Sequence, residues 1–463
     1  GNRLRGVPVN TNGDFLASRR WNHNEPTDYL DLRSTSVQAK LEVQPTDNLA
    51  LDASLRRIDA TEAQQYHEPN GLVDTNADGV VDLSRRQFRD QFRDTGEWSF
   101  GTNAVWSLPL GSDISNRVLL GFDHYDSTLT FDGRSLNGGN SLTSQTTPCA
   151  LSLANPVYRA CSASNYLLPA FARTITDTKR TGFYALNELT VGPVILVAGI
   201  RTDSFEDDTG AARFKGSDET YRFGATWRVQ DDLSLFAQYA TSFEPQSAAS
   251  QDPRAGGPFA PTSGDIIEGG IKTALMNGRI QSSASVYRIR RQNLLQANPL
   301  GDPEGDGINN SVAFGEVTSK GVDLDIAADI TDNWVVTLAY AYNDTRITKT
   351  NGLTPPTNSV GDRFANAPKH ELGFWTRYQL PETGLAFALG GDYVSRRISL
   401  SGQTVKPYFI ADGSITWTSG PFNILLRVDN IFDKTYAASG FTDRTGHFPG
   451  EPRSAFVELG YRF

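Results

Sequence analysis

Apolar residues at every second position, in one segment after another, limit most strongly what this chain can become. In Leu30 to Val43, Val37, Ala39, Leu41 and Val43 share one face while Gln38, Lys40 and Glu42 share the other. Leu49 to Asp59 repeats the code with Leu49, Leu51, Ala53 and Leu55. Each such segment is a two-faced β-strand. Further segments follow at Thr95–Trp106, Arg117–Phe131, Thr181–Val191, Val194–Phe205, Thr220–Val229 and Leu233–Phe243. The series continues through Ile266–Met276, Ile280–Leu295, Val312–Ile330, Trp334–Ile347, His370–Leu380, Leu385–Arg397, Tyr408–Thr418 and Phe422–Phe432.

The chain closes on Arg453 to Phe463, where Ala455, Val457, Leu459, Tyr461 and Phe463 alternate with polar residues and glycine, and no polar tail follows. Alone, that stretch fits a soluble edge strand as well as a strand between lipid and a wet lumen. The connections decide between them. Asn277-Gly278, Asp231-Asp232, Gly192-Pro193 and Thr331-Asp332-Asn333 are tight hairpin turns, and they alternate with long polar excursions. The count is about seventeen strands with eight short turns and eight long loops in strict alternation. A soluble sandwich has no reason to keep that asymmetry, whereas outer-membrane barrels have short periplasmic turns and long extracellular loops. The fold class read from the sequence is therefore all-β, a transmembrane antiparallel β-barrel in the bacterial outer membrane.

Composition excludes the competitors. Hydrophobic content is 38% and mean hydropathy −0.39, so no stretch approaches the run of about 20 apolar residues that a membrane helix needs. A net charge of −10 with no basic patch argues against nucleic acid as a partner. The five histidines, His23, His67, His124, His370 and His447, are scattered and form neither HExxH nor a base beside a GxSxG nucleophile, so neither a metal centre nor an enzyme is expected. Cys149 and Cys161 lie in a Ser/Thr/Ala/Asn-rich loop and read as a disulfide in an oxidising compartment, with two free thiols as the alternative.

Strand parity bears on the ends. A closing strand that finishes in the periplasm makes the first strand run inward from an extracellular loop, which leaves an odd strand number, while single-chain bacterial barrels have an even one. Strands are therefore expected to be missing before residue 30, with residues 1–29 the remnant of an extracellular loop and 30–463 barrel strands and loops. Residues 1–10 carry no charged-then-apolar signal segment, so either processing has removed one or the chain begins mid-protein.

At this point the segments resemble the TonB-dependent outer-membrane receptors, of the ferric-siderophore type. Gly182-Phe183-Tyr184-Ala185-Leu186-Asn187-Glu188 followed by Ala198-Gly199-Ile200-Arg201-Thr202-Asp203 is similar to the paired strands GlYxQDE and aGxRyD. Thr241-Ser242-Phe243-Glu244-Pro245 looks like TSFxP, and Glu268-Gly269-Gly270-Ile271-Lys272 like ExGxK. Val428-Asp429-Asn430-Ile431-Phe432-Asp433-Lys434, with Thr435 inserted before Tyr436, resembles VxNxFDKxY, and Gly450-Glu451-Pro452-Arg453 and the terminal Tyr461-Arg462-Phe463 complete the set. The resemblance implies a 22-stranded barrel, so about five strands are absent. It also implies a plug domain, likewise absent, carrying a short box that recruits the TonB-ExbB-ExbD energy complex. It further implies a monomer in outer-membrane lipid that takes up a ferric siderophore without catalysis or a resident cofactor. A receptor of the same architecture for haem, cobalamin or a peptide, and a passive porin or adhesion barrel, are the alternatives.

An iron chelate presents aromatic, amide and anionic surfaces, so aromatics and arginine at the extracellular mouth are the candidate contacts. By position these are Trp21, Tyr66, Phe131, Tyr166, Phe171, Arg173 and Phe243. Trp98, Trp106, Trp334, Tyr340 and Tyr342 suit aromatic belts instead. Asp74-x-Asn76-x-Asp78-Gly79 and Asp302-x-Glu304-x-Asp306-Gly307 resemble the opening of a calcium loop, but Arg85 and Ala313 stand where a bidentate carboxylate belongs, so polar turns are expected.

Overall fold

Every segment with the two-residue period forms a strand, and each strand pairs with its sequence neighbours. The structure, a computed structural model, describes residues 6–135, 149–166, 168–298, 310–350 and 359–463. Seventeen long strands form one antiparallel sheet in chain order: Tyr29–Thr46, Leu49–Val73, Leu83–Pro109, Ile114–Ser135, Ala172–Val191, Val194–Asp208, Arg213–Gln230, Leu233–Glu244, Thr262–Leu275, Ile280–Ala297, Ser311–Thr331, Trp334–Lys349, His370–Gln379, Leu385–Val394, Tyr408–Ser419, Phe422–Asp429 and Ser454–Tyr461. A two-residue strand, Leu151–Ser152, adds to Leu83–Pro109. Among the described residues no helix is long and apolar enough to cross a membrane.

Register carries the apolar code from strand to strand. Val43 faces Leu51, which faces Ala104; Leu41 faces Ala53; Phe100 faces Leu55. Further round, Leu235 pairs with both Trp227 and Ile271, and Ile415 with both Phe387 and Leu426. All these side chains lie on one face of the sheet, the lipid face.

Two aromatic rings bound that face. Trp106, Trp227, Trp334, Tyr378, Trp417 and Tyr461 stand near the short turns and are exposed. Trp98, Tyr239, Tyr393 and Phe409 are exposed further up the strands, with Tyr340 and Tyr342 in the same zone. Trp334 and Tyr342 lie on one strand, about 26 Å apart at 3.3 Å per residue, or about 20 Å of height once the strand is tilted, close to the apolar band of a barrel. The opposite face carries Asp52, Asp123, Arg201, Glu268, Asp325, Asp392 and Arg427, as a wet lumen requires. On it the Tyr184 ring lies across Gly121, where a Cβ would fall 2.0 Å from the ring.

Two hairpins overturn the strict alternation of turns and loops. Leu49–Val73 and Leu83–Pro109 stay paired up to Val73 opposite Leu83, so most of the stretch expected as a loop to about residue 90 is ladder. Val194–Asp208 and Arg213–Gln230 likewise leave only Thr209 to Ala212 between them. Alternation exists because one strand face meets hydrocarbon. Above the membrane both faces meet water or protein, and a strand continues there without it.

Among the described residues the first strand pairs only with the second, and the closing strand only with Phe422–Asp429. Each has an unpaired edge.

Candidate ligand-binding mouth

The long-loop end is built on the tall hairpin of Leu49–Val73 and Leu83–Pro109. Residues 17–28 and 149–166 fold over its upper part as a cap. Cys149 and Cys161 are disulfide-bonded, with Cα atoms 5.0 Å apart. Reducing this bridge is expected to loosen the cap by about 2–4 kcal/mol. Trypsin should then cut after the exposed Arg159 only once reductant is added; equal cleavage without reductant would contradict this.

The cap interior is charged. Arg86 and Glu25 have fully buried side chains and form an ion pair at 2.8 Å. Arg86 also donates from Nε to the Cys149 carbonyl at 2.7 Å and from Nη1 to the His23 carbonyl at 3.0 Å. One guanidinium thus joins the hairpin to both segments of the cap. Asp28 accepts from the His67 backbone N–H at 2.7 Å and the Glu25 N–H at 3.0 Å, and its Oδ1 lies 2.8 Å from His67 Nδ1. His67 packs edge-on against Phe88, and Phe88 stacks on Tyr166 at 5.8 Å. Burial pushes the Tyr166 hydroxyl well above its ordinary pKa, so Tyr166 stays neutral.

The seven candidate residues separate into three groups. Trp21, Tyr66 and Tyr166 are 3%, 1% and 6% exposed. Trp21 packs with Leu151 and Leu153 and donates from its indole to the Ser152 carbonyl at 2.9 Å, and Tyr166 packs with Phe88 and the disulfide. These three lie inside the cap, not on its surface, because an irregular segment folded on a wet strand needs its own small core. Phe131, Phe171 and Arg173 lie at the upper end of the strand pair Ile114–Ser135 and Ala172–Val191, with Phe131 on the lumen face that Asp123 shares and Arg173 on the other face, across from Asp132. Arg93 lies over the Phe131 ring at 5.0 Å, and Arg134 over the half-exposed Phe171 at 4.1 Å. Arg173 grips Asp132 with two hydrogen bonds of 2.8 Å, which hold the Asp132 carboxyl below the usual carboxylate range. Phe243 stands apart, its ring 6.1 Å from Phe205, over which Arg180 lies.

These stacked arginines offer flat, cationic and amide-like faces suited to an aromatic or amide-bearing guest. The sequence reading missed Arg93, Arg134 and Arg180, because nothing in the spacing marks an arginine that lies on a ring from a neighbouring strand. It also missed Arg86, Glu25, Asp28 and His67.

The first calcium-like pattern folds as a polar turn. Asp74 accepts from the backbone N–H groups of Gly79 at 2.6 Å and Ala77 at 2.7 Å. Burial opposes ionisation there, but these amide bonds win and keep the Asp74 carboxyl below its ordinary value. Among the described residues no cluster of His, Cys, Asp or Glu suits a metal. Asp302 to Gly307 lies outside the described residues.

A hollow of about 760 Å³ lies on the inner wall below the mouth and is lined by Lys272, Asp325, Asp392, Asp412 and Trp375 among others.

Residues 1–431 match the family model described as TonB dependent receptor-like, beta-barrel. The chain belongs to that family. As a TonB-dependent receptor barrel it is an outer-membrane protein. It is 28% identical over 308 residues to the ferrichrome outer membrane transporter/phage receptor of Escherichia coli (strain K12), a match covering 63% of this chain and 39% of the relative. It is 27% identical over 419 residues to the metal-pseudopaline receptor CntO of Pseudomonas aeruginosa (strain UCBPP-PA14), covering 83% and 53%. The chain thus spans roughly half or less of the length of these receptors. The siderophore receptor PiuA from Acinetobacter baumannii superposes with a TM-score of 0.80 at 19% identity, over 99% of this chain and 67% of that one. The pyoverdine outer membrane receptor FpvA from Pseudomonas aeruginosa PAO1 gives a TM-score of 0.81 at 16% identity, over 99% and 66%. At such identities the likeness shows the shared barrel fold.

Proposed function

We propose that this chain is the barrel portion of a receptor that takes up a ferric siderophore across the bacterial outer membrane with energy from TonB-ExbB-ExbD. The observation that carries this is the family match together with curated relatives that are themselves receptors or transporters for chelates, ferrichrome and metal-pseudopaline among them. Phe131, with Arg93 over its ring, offers a first contact on the lumen face, Phe171 and Arg173 offer a second at the rim, and Phe243 adds a further patch. The steps are capture at the mouth and passage through the lumen, with no covalent chemistry.

Two unpaired strand edges support a further part of the proposal. Backbone N–H and C=O groups facing hydrocarbon without partners cost several kcal/mol each. Additional strands of the parent protein would join these edges, and a plug would fill the lumen.

The test is growth of an iron-starved strain lacking the whole gene on a panel of siderophores. Growth on one or more chelates should be lost, should return with the gene, and should stay lost when TonB is removed. Unchanged growth on every siderophore, with loss on haem, cobalamin or a peptide, would reassign the ligand. TonB-independent entry of small solutes would favour a passive porin.

A further inference from the structure

Gly6 to Asp14 cross the mouth and dock on the loops 395–407 and 437–449. Val7 and His447 exchange both backbone hydrogen bonds, at 2.7 and 2.8 Å. Thr404 N–H donates to the Thr11 carbonyl at 3.3 Å, Gln403 Nε2 donates to the Val9 carbonyl at 3.4 Å, and Lys406 pairs with Asp14. The backbones run so close that a Cβ on Gly446, at φ +81, would fall 2.0 Å from the Val7 carbonyl oxygen.

At the centre of this seam His447 has no exposed surface, and among the described residues neither ring nitrogen has a hydrogen-bond partner. Beside it, Arg397 is 3% exposed and is in no ion pair among the described residues. Its Nη2 donates to the carbonyls of Ala437 and Ala438, and its Nη1 has no partner. An imidazole in such a place is tolerated only while neutral.

We propose that His447 is a pH-sensitive latch: its protonation sets a second cation beside Arg397 in a dry seam and releases the segment 6–14 from the mouth. The surrounding charges leave this role to His447. Lys406 and Asp14 hold each other, Arg396 donates to Thr404 Oγ1, and Arg444 donates to the Pro69 carbonyl. Glu371 and Tyr408 act on Arg397.

Burial first, and then the Arg397 charge, bring the His447 imidazole down to about 4. A released histidine returns to about 6.5. The docked state therefore binds the proton less well than the released one. Docking is at full strength above pH ~6.5 and weakens as the pH falls towards about 4. From pH ~7.5 to ~5 the docking equilibrium should fall roughly thirtyfold. The Lys406 hydrogen bond holds Asp14 below its ordinary carboxylate value, so Asp14 does not titrate in this window.

The test is amide hydrogen exchange at Val7 and His447 in the full chain, corrected for the intrinsic pH dependence of exchange. Protection should drop roughly thirtyfold between those two pH values. His447→Gln should abolish the drop, and Arg397→Gln, which keeps the imidazole, should shrink it. Either variant suffices if the other does not fold. Equal protection of the wild type at both pH values, or an undiminished drop in His447→Gln, overturns the latch. None of these readouts depends on which ligand the receptor carries.

Discussion

Arg86→Met should open the cap over the tall hairpin, at a cost of about 3–5 kcal/mol. The substitution keeps an aliphatic stem but removes a guanidinium that satisfies three groups on two separate segments at once. It strands the Glu25 carboxylate, which has no exposed surface and, among the described residues, keeps only the Arg159 N–H as a donor from the cap. Two carbonyls, of Cys149 and His23, lose their donor as well. Hydrogen exchange at the Leu153 amide, which bonds the Asp82 carbonyl at 3.0 Å, reads the opening directly. The double variant Arg86→Met/Glu25→Gln should recover part of the loss, since a neutral amide costs less to leave unpaired than a carboxylate. Unchanged exchange in the single variant would show that the ion pair does not hold the cap.

A comparable effect is expected in the wall, at Leu389→Arg. Leu389 is 50% exposed on the apolar face. On its strand Leu385 lies opposite Trp417 of the lower ring and Tyr393 opposite Phe409 of the upper, so Leu389 sits midway between the two belts. An arginine at the bilayer midplane of a barrel costs about 2–4 kcal/mol. Ala339→Arg, on the opposite face and directly across from Asp325, should cost little or nothing. Folding titrations of the two variants in lipid vesicles test the assignment of inside and outside together. Equal penalties would mean that the faces do not meet different solvents.

The contrast between these two substitutions shows which physics the sequence records. Leu389, Leu235 and Ile271 are legible because hydrocarbon demands an apolar side chain at every second position, and that demand repeats along each strand. The demand stops at the aromatic rings. His67 and Arg86 are equally strand residues, yet they meet groups brought from residues 23–28 and 149–166, so no period marks them. For the same reason Trp21, Tyr66 and Tyr166 looked like surface aromatics and lie buried. A loop's own core is made of contacts across more than a hundred residues of sequence, such as Trp21 with Ser152, and composition does not announce them. The disulfide was legible because only two cysteines exist to pair. The arginine–ring stacks at Phe131 and Phe171 depend on cross-strand register, which the sequence leaves open by a residue or two.

The ladder that carries the third, fourth and fifth strands well past the aromatic belt also bears on capture. A guest arriving at Phe131, Phe171 and Arg173 meets groups held on hydrogen-bonded stalks and, in Arg173, pinned to a neighbour's carboxylate. Little conformational freedom remains for these groups to surrender on association, and each side chain already held spares about 0.5–1.5 kcal/mol of ordering cost. Such a scaffold favours slow departure of a well-matched chelate over broad tolerance of many.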